Sequence, residues 1–288
     1  MPNGIIVIDK PQGWTSMDVC AKLRGVFHEK RVGHAGTLDP MATGVLPVFL
    51  GRATRAVEFA DKSDKEYIAE LKLGVITNTQ DTSGETLEER PVQAGREQLE
   101  EVLEQFRGEI LQIPPMYSAI KINGKKLYEL ARKGREVERP ARAVNIKSLE
   151  ILGQQGEDLY TIKARCTKGT YIRTLCHDIG QAMGCGGCMA SLRRTMAAGF
   201  TLEDAVTLEE IQAAADPAAL LLPVDDYFKA LPACTIRGKA LFRAKNGNPF
   251  LWELPDGDYR VYGPEGEFLL LGRCEGGVVA TIKSFFEV

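Results

Sequence analysis

Two stretches of this chain alternate with a period of two, which restricts it to folds built on a sheet with one face buried. From Lys65 to Leu73, residues Tyr67, Ala69, Leu71 and Leu73 share one strand face, while Glu66, Glu70 and Lys72 share the other. Tyr160, Ile162, Ala164 and Cys166 repeat the pattern. Ile5–Ile8 and Val45–Leu50 are continuous apolar runs and read as buried strands, the first ending at Asp9-Lys10-Pro11 because proline cannot extend a ladder. Helical signals lie between the strands. Thr15-Ser16 offers an N-cap ahead of Val19, Cys20, Leu23, Val26 and Phe27 on one face. Ala53–Ala60 predicts a short helix. Leu99, Val102, Leu103 and Phe106 mark another, as do Ile172, Leu175, Cys176 and Ile179, and Thr207-Leu-Glu-Glu210 is a capping box.

After Pro223-Val224-Asp225-Asp226 the texture changes. Short apolar runs from about Leu231 to Val288 are separated by Gly247-Asn248-Pro249, Pro255-Asp256-Gly257, Gly263-Pro264 and Gly276-Gly277, a spacing that predicts a small β-barrel or sandwich. A chain of 288 residues accommodates one large unit, here 1–228, and a small one, 231–288. The apolar runs are far too short to span a membrane, and no basic or apolar leader precedes Ile5, so a cytoplasmic protein is expected.

Seven cysteines spread over a long chain argue for reduced thiols rather than a disulfide framework. Cys185 and Cys188 have the spacing of a zinc ligand pair, but no second pair exists and the three histidines do not complete a site, so no metal is expected. The net charge of −3 hides its distribution. Lys121–Lys147 carries nine Lys/Arg against three Glu, and Lys163–Arg194 six against Asp178 alone. Asp81–Glu104 and Thr201–Asp226 are acidic. Such runs often only solvate helix faces, but segregation of this kind is also what a polyanion-facing surface needs. The basic stretch from Gln112 to Lys147, with Pro114-Pro115, Asn123-Gly124, Gly134 and one short helix near Lys125–Lys133, reads as an inserted, partly mobile arm.

From Arg31 to Thr43, Gly33, Gly36 and Asp39-Pro40 break regular structure and predict a loop. An isolated Asp-Pro is usually a turn. Here the proline pushes Asp39 toward an extended conformation, and flanking glycines let another backbone come close, which would present a carboxylate at a loop surface. Arg31–Gly44, with Lys10-Pro-Gln-Gly-Trp-Thr-Ser16, Gly44–Gly51, Gln112-Ile-Pro-Pro-Met-Tyr-Ser-Ala-Ile-Lys121 and Lys168-Gly-Thr-Tyr-Ile-Arg-Thr-Leu175, resembles the TruB-type family of tRNA pseudouridine synthases. The matches run collinearly over roughly 4–200.

The resemblance implies an α+β fold: a pseudouridine-synthase core, whose mixed, largely antiparallel sheet is flanked by helices and loops, followed by a short PUA-like RNA-binding barrel. It implies isomerisation of the T-loop uridine conventionally numbered 55, reached by base flipping, with Asp39 as nucleophile. Aspartates serve in this way in other covalent catalysis. Asp39 must stay ionised in a site dry enough for a base, so a nearby cation is needed, and the resemblance points to Arg173. A cation near a helix start opposes the macrodipole, which an anionic partner would offset. Tyr67, by its face a core residue, is assigned to stacking on the flipped base and to proton transfer. Tyr171 becomes a pocket wall and Leu192 an apolar contact to the base. His34 fills the space left by the extruded nucleotide, and Lys10 contacts substrate. Where a histidine is expected before Leu192-Arg193-Arg194, this chain has Cys188. The reaction needs no cofactor and no metal. The expected partner is the T arm of tRNA, with no membrane, no obligatory protein partner and a monomeric enzyme. Rival readings are a guide-RNA-dependent relative of the dyskerin branch, an RNA-binding protein without catalysis, and a zinc-organised module on Cys185 and Cys188.

Overall fold

In the computed structural model, which describes residues 2–93, 95–122 and 124–286, both alternating stretches lie at the middle of a nine-stranded sheet. Its order is Gly4–Lys10, Thr43–Leu50, Gly187–Ala197, Lys65–Leu73, Leu159–Cys166, Arg142–Gln155 and Gly108–Gln112. The short Val32–His34 and Phe200–Thr201 strands pair onto Thr43–Leu50 and Gly187–Ala197. Burial along Lys65–Leu73 alternates at every residue, as its sequence demands.

Pairings in this sheet are antiparallel among the described residues except one: Arg193 and Arg194 run parallel to Thr43 and Gly44. Gly44 allows it. Its φ is +100°, and a Cβ there would overlap the Arg194 carbonyl oxygen. The Ser16–Phe27 helix covers the sheet with Val19, Cys20 and Leu23 fully buried, and Thr15 and Asp18 close the expected capping box. Burying each such aliphatic side chain stabilises by roughly 1.5–3 kcal/mol.

Several expectations need correction. The loop after Arg31 is shorter, because Val32–His34 is a strand. Ala53–Ala60 is a 3-10 segment, Gly51–Ala56, continued by one α turn, Val57–Ala60. Gln112 and Arg142–Lys147 are not arm. They end and begin sheet strands, with Val144 and Ile146 buried, so the inserted arm narrows to 113–141. It contains the Lys121–Ile122 and Lys125–Lys126 hairpin and the Leu127–Ala131 helix; Asn123 of the expected turn lies outside the described residues.

The C-terminal barrel is not closed. Five strands run in the order Ala233–Thr235, Gly257–Tyr262, Phe268–Glu275, Val278–Ser284, Phe250–Leu251, and the two outer ones do not pair. Those end strands have three and two residues, too short to carry a closing ladder. A helix not evident in the sequence, Gly238–Lys245, instead lays Ala240 and Ala244 over Phe250, Val261 and Leu270. Phe268 and Phe285 stack at 5.1 Å and pack with Phe228, Ile5 and Phe49, seating this curled sheet on the larger body. No helix among the described residues is long and apolar enough to cross a membrane.

Candidate active site

The Asp39 loop is bedded on the segment that follows the first strand. Leu38 N–H donates to Ser16 Oγ at 2.9 Å, and Gly13 N–H donates to the Pro40 carbonyl at 2.7 Å. The Lys10 ammonium donates to the carbonyls of Pro11 (2.9 Å), Trp14 (2.7 Å) and Pro40 (3.3 Å). Lys10 is fully buried and does not line the cleft. The expected substrate contact is therefore corrected: three backbone carbonyls occupy its three donors, and its work is to hold the loop. Burial lowers its pKa to about 8, with the Asp39 charge opposing that fall.

A cleft of about 1420 Å³ opens above this bed, and Asp39, Arg173, Tyr67, Tyr171, His34 and Leu192 all line it. Residues far apart in sequence thus meet. The Arg173 guanidinium holds Asp39 along one edge: Nη2 donates to Oδ1 at 3.3 Å, and Nε lies 2.9 Å from Oδ2 as an ion pair. Its other bonds go to the carbonyls of Thr79 (3.1 Å) and Tyr117 (2.8 Å). Arg173 is 5% exposed and is the second residue of the Ile172–Ala182 helix, where a cation is disfavoured by the dipole. The surrounding acceptors offset that cost.

Asp81 is a second carboxylate beside this arginine, 3.7 Å from Nη1. Thr79 Oγ1 (2.8 Å), Ser83 N–H (3.0 Å) and the Ser83 hydroxyl all donate to its Oδ1. Burial raises the Asp39 pKa, the Arg173 charge and hydrogen bonds lower it, and Asp81 raises it, leaving the carboxyl above its ordinary value. The Asp39 side chain nevertheless remains 37% exposed, because it faces the open space of the cleft.

Tyr67 is 7% exposed and sits against the Arg194 guanidinium; burial raises the phenol's pKa and the Arg194 charge works against the rise. Arg194 is fully buried. Its Nε donates to the Val45 carbonyl at 2.7 Å and Nη2 to the Gly36 carbonyl at 3.1 Å, so it braces both ends of the Asp39 loop. Gly36, at φ +82°, leaves room: a Cβ would press within 3.0 Å of Lys65 Cε and 3.3 Å of Arg194 Nη1. Burial, with help from Arg194, lowers the His34 pKa, so the imidazole is neutral at pH 7. Leu192 is 8% exposed. From the arm, Lys126 and Arg132 place their charges 5.4 Å from the Tyr128 ring centre, and all three line the cleft.

Asp81 and Arg194 were missed in the sequence. Arg194 carries a signal: in an alternating strand after Leu192, one of two adjacent arginines must face inward. Asp81 carries none beyond a Thr-x-Asp-x-Ser turn. Cys185 and Cys188 are buried thiols, with burial raising Cys188 to about 11. Among the described residues no three His, Cys, Asp or Glu side chains gather as metal ligands would.

A family model for the N-terminal domain of TruB family pseudouridylate synthases matches residues 24–172. The model for the C-terminal domain of tRNA pseudouridylate synthase B continues over 173–229. The chain belongs to the TruB family. Two proteins named tRNA pseudouridine synthase B illustrate its position there. That of Ralstonia pickettii is 45% identical over 91% of this chain and 85% of its own length, and that of Alkaliphilus oremlandii 47% identical over 85% and 82%. Among solved structures, a Cbf5–Nop10–Gar1 complex holds a chain 27% identical that superposes with a TM-score of 0.72, covering 98% of this TruB-family chain and 85% of that one. The pseudouridine-synthase fold follows. The C-terminal sheet lies beyond both family models, which end at 229.

Proposed function

We infer that this chain isomerises uridine 55 in the T loop of tRNA to pseudouridine, with Asp39 as nucleophile. The relatives' name supports the reaction, and the observation that carries the residue assignment is the Arg173 guanidinium paired with a carboxylate that still faces the open cleft. The reaction breaks the N1–C1′ glycosidic bond, forms C5–C1′, releases the C5 proton and returns a proton to N1. It neither oxidises nor reduces, so a carboxylate, a cation to keep it ionised and a wall for the base suffice.

In this reading Tyr67 stacks on the everted uracil and its phenol, poised by Arg194, takes part in proton transfer. Tyr171 and Leu192 form the walls. His34 supports the gap in the T loop, and the stacking and hydrogen bonds offset an unstacking cost of a few kcal/mol. Asp81 steadies Arg173 from the side away from substrate. The arm at 113–141 folds over the T arm through backbone and shape contacts. Residues 1–228 form the catalytic unit and 231–288 a short PUA-like RNA-binding unit. The enzyme acts in the cytoplasm as a monomer without cofactor, metal or obligatory partner.

A guide-RNA-dependent enzyme is the second reading, favoured by the superposition on Cbf5. Identity of 45% to the tRNA enzymes weighs against it. Purified chain mixed with an unmodified T-arm stem-loop, labelled with tritium at C5 of its uridines, separates them. Label should be released without any added RNA or protein; silence there, with release on adding a guide RNA, overturns the stand-alone reading. In the same preparation, log affinity for tRNA should fall linearly with log salt, and Lys121→Ala or Lys125→Ala should each lower the slope by roughly 0.7–0.9. A flat response measured by filter binding excludes this footprint for the arm.

A further inference from the structure

The helix that presents Arg173 has no cap of its own. Its N-cap residue, Tyr171, makes no side-chain hydrogen bond to the first turn, and that turn holds no acidic residue. A start equipped in this way tends to fray. Yet Arg173 must keep its fork aligned on Asp39.

The restraint comes from another element. Gln112 is 2% exposed, ends the Gly108–Gln112 strand and is registered there against Arg142. Its Nε2 donates to the Tyr171 carbonyl at 3.1 Å, and its Oε1 accepts from the Tyr171 N–H at 2.8 Å. Both functions of one buried carboxamide are therefore used on one backbone unit, fixing its position and its orientation. That same Tyr171 carbonyl accepts the helix's own Leu175 N–H at 3.0 Å. Directly beyond Gln112 the chain enters the arm, where the Tyr117 carbonyl accepts from Arg173 Nη2 at 2.8 Å. One segment thus holds the helix by its backbone and the arginine by its side chain.

We propose that Gln112 is a positioning residue that pins Tyr171 to the sheet and so aims Arg173 at Asp39. It rests on the reading of Asp39 and Arg173 given above. Gln112 touches no substrate and acts through geometry alone, and a displacement of about 1 Å in such a constellation costs on the order of 10²-fold in rate.

The test uses Gln112→Met in the full chain, which preserves length and bulk but removes both hydrogen bonds. Single-turnover tritium release from a C5-labelled tRNA transcript should slow by roughly 10- to 100-fold, with the Kd for that transcript within about twofold of the parent. Gln112→Glu keeps the acceptor for the Tyr171 N–H and should recover part of the rate. A Gln112→Met rate within about twofold of the parent, or a Kd weakened as much as the rate is slowed, overturns the proposal. If Gln112→Met does not fold, Gln112→Glu decides: slower release at unchanged Kd supports the role, and parental release removes it. Arg173→Ala run alongside separates the two claims. A fast Arg173→Ala enzyme defeats the underlying reading of the site, whereas a slow Arg173→Ala with a fast Gln112→Met defeats only the role of Gln112.

Discussion

Asp39→Asn is expected to lower single-turnover isomerisation by at least about 10⁴-fold, in line with the loss of other catalytic nucleophiles, while leaving tRNA affinity nearly unchanged. The amide has the size of the carboxylate and still offers one oxygen to Arg173, so the cleft keeps its shape. What disappears is the anion. Unfolding cannot account for the loss, because the linkage runs the other way. Burial raises the Asp39 pKa, so the folded chain favours the protonated carboxyl. The stability this contributes is present in full below the unfolded-state pKa and is lost as pH rises through the folded-state pKa. At neutral pH the ionised group is a cost to folding, and Asn removes it. The thermal midpoint at pH 7 should therefore hold or rise. Turnover by Asp39→Asn within about tenfold of the parent removes the nucleophile assignment.

Arg173→Ala is expected to slow isomerisation by roughly 10²- to 10³-fold, the scale on which a preorganised charge contact is lost. Its effect should depend on pH with a definite sign. Arg173 is the main influence lowering the Asp39 pKa, whereas burial and Asp81 raise it and Lys10, from beneath the loop, lowers it weakly. Without the guanidinium the carboxyl's pKa moves further up, so the acid limb of the rate–pH profile should shift to higher pH and activity should partly recover in alkaline buffer. Stability at neutral pH should drop, since Asp39 and Asp81 then face each other without the cation between them, and should be regained on mild acidification. Single-turnover rates across pH test this. An acid limb that stays in place shows that Arg173 does not govern the ionisation of Asp39.

Much of the fold was legible because the strands write their burial into a two-residue rhythm. Tyr67 could be placed on the inner face of its strand from its three same-face neighbours Ala69, Leu71 and Leu73, and Thr15 and Thr207 announced their helices through capping boxes. Two failures have local causes. The Arg142–Lys147 strand start was hidden by its exposed basic residues, which resemble the arm before it. The Gly238–Lys245 helix spans eight residues with two small buried alanines, too faint an apolar face to read.

The residues that gather in the cleft were legible, and the contacts between them were not. Asp39 and Arg173 could be singled out from motifs. That Lys10 turns its ammonium into the protein, and not toward a ligand, depends on three carbonyls whose convergence no spacing encodes. Asp81, Arg194 and Gln112 act through partners far away in the sequence: Asp81 and Gln112 meet Arg173 and Tyr171 at the start of one helix, and Arg194 reaches Gly36 and Val45 beside the parallel step at Gly44.

In the function proposed above, this cleft everts one particular uridine of tRNA and rejoins it through C5. The most direct measurement follows tritium release by the purified chain, without added partners, from a full tRNA transcript labelled at C5 of its uridines and from the same transcript carrying cytidine at position 55. One label per tRNA should leave the first and none the second. Release that persists with cytidine in place, or no release from either, contradicts the account.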